Sequence, residues 1–151
     1  MQIKDSVAVV TGGSYGAGRE IACALASQGY AIVVVYLLDQ DEAEAAVEEI
    51  LSAEGTAIAV RASVIDPLDV ERLFSETIAV FGGVDIVVHA APGGSAVIDQ
   101  QAARWLRHGG AIVHVAHADA IGPALANELQ ARNITISHDP GMHGRESGPN
   151  G

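Results

Sequence analysis

Three glycines, Gly12, Gly16 and Gly18, follow an apolar run near the start of the chain. Residues 7–10 have the composition of a buried strand, and the residues after Gly16 have that of a helix. Gly12 can adopt backbone conformations that other residues avoid, and Gly16 and Gly18 place no side chain between the backbone and a ligand. A helix that begins here points its unpaired N–H groups and its positive end at an anion. The pattern therefore predicts a turn that holds the pyrophosphate of a dinucleotide.

Histidines gather at the predicted carboxyl ends of the later strands. His89, His117 and His138 are expected to converge on that edge of the sheet, with Asp119 nearby. Imidazole titrates near neutral pH, so a histidine beside a carboxylate can act as an acid or a base. We name His117, His89 and Asp119 as candidate catalytic groups. The alternative interpretation is that these histidines are polar replacements in a site that has lost its activity.

Histidine and aspartate side chains together can also bind Zn²⁺. The spacing of His114 and His117 on one strand, however, places the two side chains on opposite faces, which argues against a shared ligand pair. The sequence therefore specifies no metal site.

The spacing Thr-Gly-x-x-x-Gly-x-Gly at residues 11–18 resembles that of the short-chain dehydrogenase/reductase family. Residues 57–66 are similar to the family's third strand and the turn after it, and residues 81–88 to the strand before its Asn-Asn-Ala-Gly motif. Residues 109–115 resemble the strand that leads to the catalytic serine, and residues 125–136 a later helix and strand. Members of the ketoacyl-reductase type look most similar.

The resemblance implies that the chain binds NADP or NAD, together with a possible small-molecule ligand, and that it forms a homo-oligomer. An acid at the end of the second strand would bind the ribose hydroxyls of NAD, but Tyr36 stands there. Asp39 would oppose a 2′-phosphate, and Arg61 on the third strand is the candidate to approach one. The resemblance assigns these residues to the cofactor: Gly12, Ser14, Tyr15, Gly16, Gly18, Ser63, Val64 and Ala90.

The chain departs from the family at the catalytic residues. The family uses a tyrosine to pass the proton and a lysine one helical turn later, but the only lysine of this chain is Lys4, so no Tyr-x-x-x-Lys occurs. The position of the catalytic serine falls near His117, and the Asn-Asn-Ala-Gly motif reads His-Ala-Ala-Pro at residues 89–92. The segment that would carry the Tyr-Lys helix is missing between residues 118 and 121. We therefore predict a shortened dinucleotide-binding protein that is not a standard ketoreductase.

Two other functions stay open at this point. The first is a cofactor-independent acid–base enzyme of the cyclase, dehydratase or isomerase type, in which His117 acts with Asp119 or His89. The second is a non-catalytic partner or regulatory subunit that pairs with another chain through its apolar surface.

The composition excludes some classes of partner. The chain has 151 residues, with 8 basic and 19 acidic side chains, and a net charge of −11. Such an acidic chain with no basic cluster is expected to repel nucleic acid and anionic membranes. The single cysteine, Cys23, cannot form an internal disulfide, which favours a reducing, cytoplasmic setting.

The elements that must position these residues alternate between strand and helix. The apolar runs predict strands at about 7–10, 31–36, 57–60, 84–89, 111–116 and 134–137, with helices between them. Continuous apolar strands are typical of a parallel sheet that is covered on both faces. We predict an α/β fold of the doubly wound, Rossmann-like type, with about six mostly parallel strands in three α/β/α layers. One domain is expected over residues 1–139, followed by a flexible tail at 140–151.

Overall fold

The computed structural model describes residues 6–115, in which five strands alternate with four helices. In chain order the elements are β1 (Val7–Thr11), α1 (Gly16–Ser27), β2 (Ala31–Tyr36), α2 (Gln40–Ser52), β3 (Thr56–Arg61), α3 (Pro67–Phe81), β4 (Val84–His89), α4 (Ser95–Trp105) and β5 (Leu106–His114). None of the helices within this part of the chain is long and apolar enough to cross a bilayer.

The five strands form one parallel sheet in the order β3-β2-β1-β4-β5. The chain winds from β1 outward to β3 and then returns to add β4 on the other side of β1. The carboxyl ends of β1 and β4 therefore flank the crevice at which doubly wound sheets bind ligands. The predicted doubly wound α/β fold is confirmed. The sixth strand at 134–137, the helix at 121–132 and the tail at 140–151 lie outside the described residues.

Two apolar cores fill the spaces above and below the sheet. On one face α1 and α2 pack against alternate strand residues such as Val10, Val34 and Val88. On the other face α3 and α4 pack against the intervening residues, among them Val9 and Val87. Because side chains alternate along a strand, strands that are apolar throughout supply both cores, and this produces the predicted three layers.

The start of α3 follows from its sequence. The Asp66 carboxylate accepts a hydrogen bond of 3.1 Å from the Leu68 N–H, and Pro67 occupies the first helical position, where no N–H is needed. Gly82 ends the helix in the left-handed conformation, with φ of 93°. The predicted cap at Asp66 is confirmed.

The boundary between α4 and β5 differs from the sequence prediction. The expected strand at 111–116 instead begins at Leu106, which pairs with Val84. Residues 84–86 of β4 lie opposite residues 106–111 of β5, so β5 bulges there. Leu106 is half-buried and packs against the core cluster that α3 and α4 cover.

Candidate functional site

The turn after β1 is built by close backbone contacts. Gly12 has φ of +66°, and a Cβ at this position would lie 2.9 Å from the Ala91 nitrogen. A Cβ on Gly18 would lie 2.1 Å from the Gly12 carbonyl oxygen. The missing side chain of Gly18 therefore allows α1 to approach the turn closely.

The first turn of α1 offers unpaired backbone donors. Its N-cap residue, Tyr15, makes no side-chain capping bond, and the first turn contains no acidic residue. The first N–H groups of a helix have no partner within the helix, and the helix dipole adds partial positive charge at this end. This end of α1 is therefore suited to an anion.

A cavity of about 320 Å³ lies beside this turn, at the carboxyl ends of β1, β2 and β3. Four of the residues predicted to contact a cofactor line it, namely Gly12, Ser14, Tyr15 and Val64. The other lining residues are Val35, Tyr36, Leu37, Leu38, Asp39, Ala62, Ala91 and Pro92. Most of this lining is apolar, and Asp39 is its only charged side chain among the described residues.

Ser14 and Asp39 join two sides of the cavity. Ser14 is 1 % exposed, and its hydroxyl donates a hydrogen bond of 2.5 Å to Asp39 Oδ2. Ser14 belongs to the turn after β1, whereas Asp39 immediately precedes α2. The bond therefore fixes a carboxylate next to the turn.

The remaining predicted contacts do not line the cavity. The N–H of Ser63 donates a hydrogen bond of 2.7 Å to the Asp69 carboxylate, and the N–H of Ala90 donates one to the Thr11 hydroxyl. The Ser63 N–H, followed by Arg72, holds the pKa of the Asp69 carboxyl below its usual range. Gly16 and Gly18 shape the turn without lining the cavity.

Arg61, the candidate to approach a 2′-phosphate, reaches the segment after β2. Its Nε donates a hydrogen bond of 3.0 Å to the Leu37 carbonyl oxygen, and its side chain is not among those that line the cavity. The described lining thus contains no cation.

His89, a predicted catalytic group, is 3 % exposed and uses both ring nitrogens. Nδ1 lies 2.7 Å from the Thr11 hydroxyl, and Nε2 lies 2.7 Å from the Gly93 carbonyl oxygen. Because a carbonyl only accepts, Nε2 carries the proton and Nδ1 accepts from Thr11. Burial lowers the pKa of His89; the adjacent His114 lowers it further, while Gly93 and Asp99 oppose the change. His89 is therefore a neutral side chain that joins β4 to β1.

Sequence reasoning missed a pair of residues beside His89. His114 Nε2 lies 2.7 Å from Asp99 Oδ1, and the His114 ring meets the His89 ring edge to face, with centroids 5.6 Å apart. Thr11, His89 and His114 are register partners on β1, β4 and β5, so they form one row at the carboxyl edge of the sheet. Asp99 gave no signal in the sequence because it approaches His114 only through the packing of α4 on β5.

The other predicted catalytic groups, His117 and Asp119, lie outside the described residues, as does His138. Residues 6–115 contain no group of three or more His, Cys, Asp or Glu side chains placed to hold a metal ion.

The chain is similar in sequence to proteins of a known family. Residues 6–108 match the family model for short chain dehydrogenase. The chain is 42 % identical over 84 residues to the 3-oxoacyl-(acyl-carrier-protein) reductase of Staphylococcus epidermidis, which covers 56 % of this chain and 34 % of the relative. The chain thus spans about a third of the length of such reductases.

A longer match extends over most of the chain. An uncharacterized oxidoreductase of Methylorubrum extorquens is 30 % identical over 178 positions, covering 90 % of this chain and 72 % of the relative. The alignment has 178 positions and this chain has 151 residues, so the relative has residues at some positions where this chain has none.

Solved structures agree with the sequence matches. A short chain dehydrogenase of Burkholderia cenocepacia in complex with NADP superposes with a TM-score of 0.69 at 27 % identity, covering 90 % of this chain and 73 % of that one. A dehydrogenase/reductase of Sinorhizobium meliloti gives a TM-score of 0.68 at 29 % identity, covering 89 % and 71 %.

Proposed function

The chain belongs to the short-chain dehydrogenase family, and from that premise we propose that it binds a nicotinamide dinucleotide at the turn after β1. The observation that carries the proposal is the cavity of about 320 Å³ next to the uncapped start of α1. The Burkholderia relative, whose structure contains NADP, supports the class of ligand.

The residues present fit such a ligand. In this proposal the first N–H groups of α1 bind the pyrophosphate, and the absence of a side chain at Gly12 lets the turn pack against Ala91 beside that site. The adenosine half enters the cavity, where Val64, Leu38 and Pro92 exclude water from the base. When bound, the dinucleotide supplies redox chemistry, and the described residues hold and orient it.

We further propose a preference for NAD over NADP. A 2′-phosphate in the cavity would lie near the Asp39 carboxylate without a lining cation to balance it, and a carboxylate repels a phosphate. Two free ribose hydroxyls, in contrast, can donate hydrogen bonds to Asp39. β2 ends at Tyr36, so Asp39 lies three residues beyond the end of the strand and immediately before α2.

The reaction class proposed is that of an oxidoreductase that does not use the family's tyrosine–lysine pair. Lys4 is the only lysine in the sequence, and in this proposal a group other than the tyrosine–lysine pair supplies the proton.

Calorimetric titration of the protein with NAD⁺, NADH, NADP⁺ and NADPH tests the proposal. We expect micromolar binding, tighter for the NAD forms. Gly12→Val should weaken binding at least about tenfold, since its Cβ would press on the Ala91 backbone. Gly29→Ala is the matched control, because Gly29 also has positive φ but open space around it. Failure of the wild-type protein to bind any of the four dinucleotides overturns the proposal.

A further inference from the structure

The pair formed by Asp99 and His114 is not used in the binding of the dinucleotide. Neither residue lines the cavity, yet His114 is the last residue of β5, at the same edge of the sheet as the turn after β1. His114 pairs in register with His89, and His89 with Thr11, which directly precedes Gly12. Two strand spacings, about 10 Å, therefore separate His114 from the turn.

The pair has the geometry of an acid–base dyad. Asp99 Oδ1 lies 2.7 Å from His114 Nε2. An ionised carboxylate only accepts hydrogen bonds, so Nε2 carries the proton, and Nδ1 is the nitrogen that exchanges one. No hydrogen bond to Nδ1 comes from residues 6–115. The His114 side chain is 41 % exposed, so a solute can reach it.

The surroundings fix the orientation of this ring. His89 from β4 meets it at an interplanar angle of 83° and is itself held by Thr11 and Gly93. Asp99 holds it from α4. Within the described part of the chain, His89 and Asp99 are the two titratable side chains seen in contact with His114.

We propose that Asp99 and His114 are an acid–base dyad that exchanges a proton with the oxygen of a carbonyl or alcohol substrate at the ends of β4 and β5. The inference rests on the proposed function, because the dinucleotide is the redox partner. In reduction, the carbonyl carbon gains two electrons and one hydrogen from the reduced dinucleotide, and the C=O π bond opens onto oxygen. The protonated His114 ring releases its Nδ1 proton to that oxygen, giving the alcohol, and the ring regains a proton from solvent.

In this arrangement His114 is the catalytic residue and Asp99 is a positioning residue. Asp99 selects the tautomer with the proton on Nε2 and stabilises the protonated ring. The dyad thereby performs the proton transfer for which the family uses tyrosine and lysine.

The test has a kinetic arm and a spectroscopic arm. NADH oxidation is followed with three carbonyl probes: acetoacetyl-coenzyme A, benzaldehyde and 2,3-butanedione. His114→Ala should lower kcat about 100-fold or more while the NADH dissociation constant stays within twofold, and added imidazole should restore part of the rate. His108→Ala is the matched control, since His108 is an exposed histidine of the same strand, and it should retain the wild-type rate.

In the spectroscopic arm, ¹⁵N NMR of the histidine rings is expected to show neutral His114 with its proton on Nε2. Asp99→Asn should change that distribution of tautomers, and it should lower kcat without changing NADH affinity.

The outcomes separate the two proposals. A wild-type protein that binds no dinucleotide contradicts the proposed function. A protein that binds NADH but turns over none of the three probes overturns the dyad, as does a His114→Ala variant with unchanged kcat. Loss of rate without rescue by imidazole, together with an unchanged tautomer in Asp99→Asn, would reduce the pair to a structural contact and also overturn the proposal.

Discussion

The hydroxyl of Ser14 donates a hydrogen bond of 2.5 Å to the carboxylate of Asp39, which ties the turn after β1 to the start of α2. The sequence resemblance marks Ser14 as a residue that contacts the cofactor. In the folded chain its hydroxyl is committed to Asp39, so a ligand that enters this side of the cavity meets a serine–aspartate pair. The Asp39 carboxylate brings a negative charge to this side of the cavity, which is the basis of the proposed preference for NAD.

Replacing Asp39 is expected to change the preference between dinucleotides. Asp39→Asn removes the negative charge but keeps an acceptor for Ser14, so NADP⁺ should bind at least about tenfold more tightly relative to NAD⁺ than it does to the wild-type protein. The ratio of the two dissociation constants, measured by calorimetry, checks this. Asp41→Asn removes one charge from the first turn of the same helix without lining the cavity, and should leave the ratio unchanged. An equal increase in both variants would show that overall charge sets the preference, and a wild-type ratio in Asp39→Asn would show that Asp39 has no part in it.

A methyl group on Gly18 is expected to destabilise the turn. Its Cβ would lie 2.1 Å from the Gly12 carbonyl oxygen, so α1 must move away from β1. Gly18→Ala should lower the free energy of unfolding by about 1–3 kcal/mol, a typical cost of overpacking, and should weaken dinucleotide binding. Urea denaturation measures the first effect and calorimetry the second. Wild-type stability in this variant would mean that the contact between α1 and the turn relaxes without cost.

Local sequence signals predicted the elements that position the site. Elements that depend on neighbouring residues could be predicted from the sequence. They are the strand before Gly12, the Asp66 cap, and the strands at residues 31–36 and 84–89. The start of β5 at Leu106 could not be predicted in this way, because Leu106 packs against residues that are distant in the sequence.

The pairs that give the site its chemistry could not be predicted in this way. Ser14 and Asp39 are 25 residues apart, and Asp99 and His114 are 15 apart. No periodicity joins such residues, because they meet only after two helices have packed on the sheet. The sequence placed Asp39 near a 2′-phosphate but not beside Ser14, and it gave Asp99 no role. His89, which the sequence marked as a candidate catalytic group, bonds Thr11 and Gly93 in a buried network.

Thr11 is expected to stabilise the junction of β1 and β4 through one hydroxyl group. The Thr11 hydroxyl donates to His89 Nδ1 and accepts from the N–H groups of Ala90 and Ala91 at 3.0 and 3.2 Å. Thr11→Val keeps the shape but removes these bonds. Since each unsatisfied buried group costs about 1–3 kcal/mol, we expect a loss of at least about 2 kcal/mol in the free energy of unfolding.

Thr77→Val is the matched control for that measurement. Thr77 is also buried, but among residues 6–115 its hydroxyl bonds only the Leu73 carbonyl oxygen of the same helix, so its removal should cost less. Urea denaturation of both variants at one pH gives the comparison. An equal or smaller loss for Thr11→Val would contradict the role of this hydroxyl.

The stability of the protein is expected to fall as the pH drops below about 6.5, in part because of His89. Burial lowers the pKa of this side chain in the folded chain, whereas in the unfolded chain it becomes protonated near its ordinary value of about 6.5. Below that pH the unfolded state binds more protons than the folded state, so the contribution of His89 is fully present above about pH 6.5 and is lost as the pH falls toward the folded pKa. The carboxyl of Asp69, whose pKa is also lowered, acts in a separate window below its ordinary value of 3.8.

Urea midpoints at a series of pH values from 8 to 5 measure this effect. His89→Asn should give a flatter dependence below pH 6.5, whatever its overall stability, because the titrating group is gone. His108→Asn, which changes an exposed histidine, should retain the wild-type slope. If His89→Asn and the wild-type protein lose stability with the same slope, His89 is not the buried neutral group that joins β4 to β1.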